Sequence, residues 1–207
     1  MESQIDFWFD FSSAYSYPSV MRIETLAHIR KTQVHWKPFH TEQAICSDDS
    51  NAFSRESFEV NGNKMWADME RLCKKYELPL VTPQKYHRGS LFANRVAYGA
   101  SAQPWIGKFC RTLMTLQFAY GRNIEDELTV REALHTCVGE DCAIWLNLSE
   151  TQQVKSGLEK QVEKAESLGI YGTTAFVVGS ELFCGKDRLD NVTEFLTSGS
   201  RQATQLD

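Results

Sequence analysis

The chain has no Cys-x-x-Cys pair, although it carries six cysteines among its 207 residues. Cys46, Cys73, Cys110, Cys137, Cys142 and Cys184 are scattered rather than spaced as a disulfide framework. No stretch resembles the apolar core of a signal peptide, so reduced thiols and a cytoplasmic location are expected. Cys137 and Cys142 form the one close pair, with only His135 near them. That spacing is not a zinc pattern; two helix-end core thiols are expected there, and no metal. No run of Lys or Arg exceeds two residues, and 22 basic against 27 acidic side chains leave a formal charge of −5. This excludes an electrostatic binder of nucleic acid or of an anionic membrane. No run of aliphatic and aromatic residues exceeds four, at Ala143 to Leu146 and Ala175 to Val178, so no helical bilayer span is expected.

What the chain does have is ordinary globular material, 42% hydrophobic and 24% charged. Ile5 to Phe11 alternates as a strand with Ile5, Phe7, Phe9 and Phe11 on one face. After Ser12 and Ser13 a helix carries Val20, Ile23, Leu26 and Ala27 to about residue 31, and Val34 to Phe39 is a second strand. The unit is β-α-β, with parallel strands by the crossover rule. Residues 41 to 147 then read as helix or loop. Met65, Met69, Leu72 and Tyr76 mark one helix; Trp105, Phe109, Leu113, Leu116 and Tyr120 mark another that Gly121 ends. Thr129 with Glu132 suggests a capping box for a third.

Ser149 with Gln152 reads as the start of a further helix that Gly169 stops. Strands follow at Ala175 to Val178 and Glu181 to Cys184, joined by Gly179-Ser180 as a hairpin. Asp187, with Asp190 completing its capping box, opens a last helix. A β-α-β half and a β-β-α half make a four-stranded, thioredoxin-like α/β fold. Its expected parts are residues 1–40 and 148–198 as the thioredoxin-like domain, 41–147 as an inserted all-helical domain, and 199–207 as a polar tail.

The strand-to-helix junction at residues 10–18 is the first chemical candidate. Hydroxyls there lie among unpaired N–H groups at the positive end of a helix dipole, a place that holds anions. Ser12 or Ser13 as a simple helix N-cap explains the same residues, and on these residues alone that is the favoured reading.

Asp6 to Tyr17 (Asp-Phe-Trp-Phe-Asp-Phe-Ser-Ser-Ala-Tyr-Ser-Tyr) resembles the opening of the 2-hydroxychromene-2-carboxylate isomerases and their kappa-class glutathione transferase relatives. The family pattern there is aromatic-Asp-x-x-Ser-Pro-Tyr-Ser-aromatic. A second match runs from Gly169 (Gly-Ile-Tyr-Gly-Thr-Thr-Ala-Phe) through Gly185-Lys-Asp-Arg-Leu189, where the family has Gly-x-x-Gly-Val-Pro-Thr-Phe and Gly-x-Asp-Arg-Leu. The resemblance covers about residues 5 to 197, loosely in the middle. In this thioredoxin-fold branch a serine replaces the first redox cysteine. Ser13-Ala14-Tyr15-Ser16 fills that slot with hydroxyls at both cysteine positions, so dithiol exchange has no thiol to start from at this site.

The resemblance implies glutathione as cofactor, with Ser13 the catalytic residue that donates a hydrogen bond to its sulfur. It also implies backbone contacts from Thr173 to the cysteinyl part of glutathione, Lys186 and Asp187 holding its γ-glutamyl end, and Asn51 among the polar contacts. Asp187 as a plain N-cap is compatible with that role. Tyr15 and Tyr86 are candidates for the substrate pocket, although a loop aromatic is an ordinary surface feature. The five histidines form no constellation, each reading as partly exposed, and Met65, Trp66 and Met69 read as core.

Two departures stand out. Ala14 replaces a family proline without removing a functional group. Thr174 replaces the proline whose peptide bond is cis throughout the fold; a cis bond costs ~2.5–4 kcal/mol before any other residue. Either that bond is cis here as well, or the loop is rebuilt and the cysteinyl contact of glutathione is lost.

The implied activity is isomerisation of a conjugated aromatic keto acid by reversible addition of a bound thiolate, in a homodimer. A kappa-like transferase acting on an electrophile is the second enzymatic reading. A thioredoxin-fold binding protein without catalysis is the third.

Overall fold

The computed structural model describes residues 4–40, 55–82, 89–185 and 188–203, those at 55–63 and 198–203 as backbone only. Strand β1 (Gln4–Phe9), helix α1 (Ser16–Ile29) and strand β2 (Gln33–Pro38) open the chain as the expected β-α-β unit. β2 runs parallel to β1, with Gln4 opposite Gln33 and Phe9 opposite Pro38. Helices α2 (Arg55–Lys75), α3 (Leu91–Gly99), α4 (Ile106–Phe118), α5 (Glu127–Val138) and α6 (Cys142–Ser149) follow. Helix α7 (Gln152–Ser167), strands β3 (Ala175–Val178) and β4 (Glu181–Cys184) and helix α8 (Arg188–Ala203) complete the described chain. The four strands form one sheet in the order β2-β1-β3-β4, with β3 antiparallel to both neighbours. This is the thioredoxin-like α/β fold with helices inserted between its halves.

The alternation in β1 does what it predicts. Ile5, Phe7, Phe9 and Phe11 are all buried, in one core with Tyr17, Val20 and Ile23 of α1 and Phe109 and Leu113 of α4. The helical block therefore shares its apolar interior with the sheet. On the opposite face Trp8 and Ala175 are covered by Val162 and Ala165 of α7, together with Phe39 and Ile170. β1 is thus buried on both sides, and its C-terminal end is a fixed point from which the following turn is hung.

Element ends differ from the sequence reading where two residues compete to cap a helix. A cap needs an extended backbone so that its side chain can turn back onto the first turn. Asp126 (ψ 118°) and Thr151 (ψ 149°) have that conformation and accept from the amides of Leu128 and Val154. Thr129 is instead buried inside α5, and Ser149 ends α6 with its hydroxyl on the Leu146 carbonyl. At the C-terminal end of α7 Gly169 does stop the helix, at φ +78°, a conformation that side chains with a Cβ resist.

The capping box read for Asp187 and Asp190 falls on Asp187, outside the described residues, but Asp190 itself has partners elsewhere in the fold. Its carboxylate reaches Arg22 of α1 at 2.5 Å, the Tyr76 hydroxyl at 3.1 Å and Lys75 of α2 at 3.6 Å. Burial pushes its pKa up, but Arg22, Tyr76 and Lys75 together hold it below the ordinary aspartate value. One carboxylate thereby fastens α8 to α1 and α2. Arg188, at the start of α8, is exposed and pairs with no carboxylate among the described residues.

Candidate active site

Beyond Phe9 the chain turns through residues 10–15 and enters α1 at Ser16. The turn is closed by main-chain bonds from the Ser13 amide to the Asp10 carbonyl (3.1 Å) and from the Ser16 amide to the Ser13 carbonyl (3.0 Å). The N-cap position falls on Tyr15, whose backbone is already helical (φ −67°, ψ −18°), and no side chain caps the helix. The capping role considered for Ser12 and Ser13 is therefore not what these hydroxyls do. Ser13 is half-buried, and its hydroxyl makes no hydrogen bond among the described residues. The first turn of α1 also contains no acidic residue. A hydroxyl donor and the N-terminal end of a helix without a side-chain cap therefore share one turn, an arrangement suited to a thiolate or carboxylate. Ser16, at the other cysteine position, is buried with its Oγ unpartnered.

The sheet brings the second motif to the same end of β1. Trp8 lies opposite Ala175, so residues 173–174 run alongside the close of β1. The Thr173–Thr174 peptide bond is cis, Thr173 is half-buried, and the Thr174 carbonyl accepts the Gly185 amide at 2.8 Å. Ser13, Thr173 and the end of β4 are thereby gathered at one edge of the fold. Lys186 and Asp187, between Gly185 and α8, lie outside the described residues, as do Asn51 and Tyr86. Tyr15 is half-buried, with its hydroxyl 3.3 Å from the Asp68 carboxylate of α2. Met69 is fully buried and Met65 and Trp66 pack on the same core, as their helical spacing implies.

Tyr17 closes the motif as a structural residue. Its ring stacks on Phe118 at 5.3 Å and its hydroxyl donates to the Pro79 carbonyl at 2.9 Å. Burial, with smaller contributions from Cys73 and Tyr120, pushes its pKa up to about 12. A group whose folded pKa exceeds its unfolded value of ~10 contributes stability below pH ~10 and loses it as pH rises through the folded value. Unfolding monitored between pH 9 and 12.5 (roughly, spanning both values) should show this loss of stability, and Tyr17→Phe should flatten it.

Sequence reasoning missed the polar cluster behind the turn. His40, expected to be partly exposed, is buried, with Nδ1 3.8 Å from Asp10 Oδ2. Ser90 at the N-cap of α3 and Asn94 in its first turn converge on the same carboxylate. The nearest sequence signal was an aspartate closing an aromatic strand just before a serine turn. A cleft of about 590 Å³ bounded by Glu24, His35, Lys37 and Gln103 lies along β2 and shares no residue with the Ser13 turn.

Residues 4–197 match the DSBA-like thioredoxin domain family. The 2-hydroxychromene-2-carboxylate isomerase of Sphingobium xenophagum is 25% identical over 95% of this chain and 99% of its own length. The enzyme of the same name from Pseudomonas putida is 22% identical, over 89% and 90%. Among solved structures, a 2-hydroxychromene-2-carboxylate isomerase superposes with a TM-score of 0.87 at 20% identity, covering 99% of both chains. The cytosolic disulfide reductase DsbM from Pseudomonas aeruginosa with GSH superposes at 0.69 and 12% identity, over 96% of this chain and 99% of its own.

Proposed function

The chain belongs to the DSBA-like thioredoxin domain family, and from that footing we propose that it is a glutathione-dependent isomerase of the 2-hydroxychromene-2-carboxylate type. The observation that carries this reading is the Ser13 turn: an uncapped helix terminus, an unspent hydroxyl and no thiol at either redox position. Likeness to isomerase-named relatives along nearly the whole chain supports it, as does the glutathione seen with a neighbour of the same fold.

The residues present fit the cofactor. Holding a thiol of pKa ~8.5 two units lower requires roughly 2.7 kcal/mol. A hydrogen bond to a charged group supplies about 1.5–3 kcal/mol, and a helix terminus about 0.3–1 more. Ser13 and the first turn of α1 suffice without a general base. Main-chain groups of Thr173 would hold the cysteinyl part, and Lys186, Asp187 and Asn51 its polar ends. Tyr15 and Tyr86 would line the pocket for a small aromatic keto acid, and the enzyme would act as a homodimer. Bound there, glutathione supplies a thiolate that adds to the conjugated acceptor and leaves again. The protein's share is to orient the sulfur, stabilise its charge and exclude water.

Calorimetric titration with reduced glutathione is the test. Binding at micromolar to low-millimolar concentration, abolished in Asp187→Ala, is expected, followed by conversion of 2-hydroxychromene-2-carboxylate with no net consumption of glutathione. Consumption with release of a conjugate identifies the transferase instead. No binding at roughly 10 mM, where a 1 mM site would be nearly filled, leaves the non-catalytic binding protein.

A further inference from the structure

We infer that Asp10 is the positioning residue of the Ser13 turn, a role that rests on Ser13 being the hydroxyl that meets the thiol. Asp10 follows β1 directly and is fully buried. A buried carboxylate persists only where donors or positive charge meet its oxygens. Here Oδ1 accepts from the Ser12 amide at 2.9 Å, the Ser90 hydroxyl at 2.6 Å and the Asn94 side-chain amide at 3.0 Å. Oδ2 faces His40 Nδ1. Ser90 and Asn94 are one helical turn apart at the start of α3, joined by an amide-to-carbonyl bond of 2.8 Å. His40 follows Phe39, whose amide donates to the Phe9 carbonyl at 2.9 Å. The ends of β1 and β2 and the start of α3 therefore meet on one side chain.

This arrangement replaces a helix cap. An N-cap side chain ordinarily fixes how a chain enters its helix, and α1 has none. Asp10 takes over that duty. Its side chain holds the Ser12 amide and its own carbonyl holds the Ser13 amide at 3.1 Å. Two successive amides of the turn are thus fixed by one buried residue, and the Ser13 hydroxyl is not consumed in doing so. Through Ser90 and Asn94 the turn is also registered against the helical block. Placement matters because a shift of ~1 Å in a reacting or stabilising group can cost about 10²-fold in rate.

The test compares Asp10→Ala with Asp10→Asn, in which an amide oxygen can still accept the Ser12 N–H. In Asp10→Ala the Ser12 amide, which bonds to the lost carboxylate, should exchange with solvent about tenfold faster, the loss of one hydrogen bond, while those of Phe7 and Phe9 stay unchanged. The thiol of bound glutathione, followed by its ultraviolet thiolate absorbance against pH, should titrate higher, as is also expected for Ser13→Ala. The dissociation constant for glutathione should change by less than about threefold. Asp10→Asn should restore both readings. Unchanged exchange at Ser12 overturns the inference, and so does faster exchange with an unmoved thiol titration. If Asp10→Ala does not fold, the Ser90→Ala, Asn94→Ala double variant, which keeps the Ser12 bond but releases the carboxylate from α3, should raise the thiol titration in the same direction, and an unmoved titration there overturns the inference. A wild-type protein that binds no glutathione overturns the proposed function, while the exchange measurement still decides whether Asp10 holds the turn.

Discussion

Ser13→Ala is expected to reduce glutathione-dependent turnover by about 10²-fold, the loss typical of removing one preorganised donor from a developing or stabilised negative charge. The protein should remain folded, because the Ser13 side chain caps nothing and hydrogen-bonds to nothing among the described residues. Its main-chain bonds to Asp10 and Ser16 survive the substitution. Affinity for glutathione should change only a few-fold, because the remaining contacts assigned to glutathione lie elsewhere on the chain. The loss therefore belongs in kcat, with the thiol of bound glutathione returning towards its ordinary pKa of ~8.5. Ser16→Ala is the control. That hydroxyl is buried and unpartnered, so removing it orphans nothing and should leave turnover within about twofold. Steady-state kinetics on both variants decide the assignment. Equal losses at 13 and 16 would mean that the turn acts as a unit rather than through one donor, and no loss at 13 would remove Ser13 from the reaction.

How much of this was legible in the sequence depends on the range of the physics involved. The hairpin at 175–184 was read to the residue, because alternation and a Gly-Ser turn are local signals. β1 was read two residues too long: Phe11 is buried with the strand's apolar face, yet the backbone has already turned at Asp10. Caps were misplaced by two or three residues at α5 and α7, where neighbouring hydroxyls and carboxylates compete and backbone torsion alone decides. Helix α3 was not resolved as an element of its own, since its nine residues are short for a periodic signal. The Asp10 cluster was beyond reach for a different reason. Its partners Ser90 and Asn94 lie 80 and 84 residues away, and each alone reads as an ordinary helix-start residue. Only the burial of the carboxylate reveals that they act together.

Phe7→Ala is expected to be the most destabilising single change in the sheet. The register lines up Trp36, Phe7, Phe176 and Phe183 as one aromatic row across β2, β1, β3 and β4. Phe7 is fully buried in the middle of that row. Its ring lies 5.1 Å from Phe176 and 5.4 Å from Trp36, and 5.2 Å from Phe9 along its own strand. Truncating a buried phenylalanine costs about 3–5 kcal/mol, partly for the transfer of its surface and partly for the cavity that remains. Collapse into that cavity is hindered because the neighbours are rigid rings on three different strands, and the lost aromatic pairs place the expected value in the upper half of that range. At ~2–4 °C per kcal/mol for a domain of this size, the midpoint of thermal unfolding should fall by roughly 10 °C or more. Phe7→Leu keeps most of the volume and should cost under about 1.5 kcal/mol. In denaturant the midpoint should fall while the slope stays constant, which separates lost packing from a less compact native state. A loss below about 1.5 kcal/mol for Phe7→Ala, the range of a volume-conserving swap, would mean that the two halves of the fold are not joined through this row. Because Phe7 precedes Asp10 by three residues and Ser13 by six, folded Phe7→Ala protein should keep its glutathione affinity, losing activity only as it unfolds.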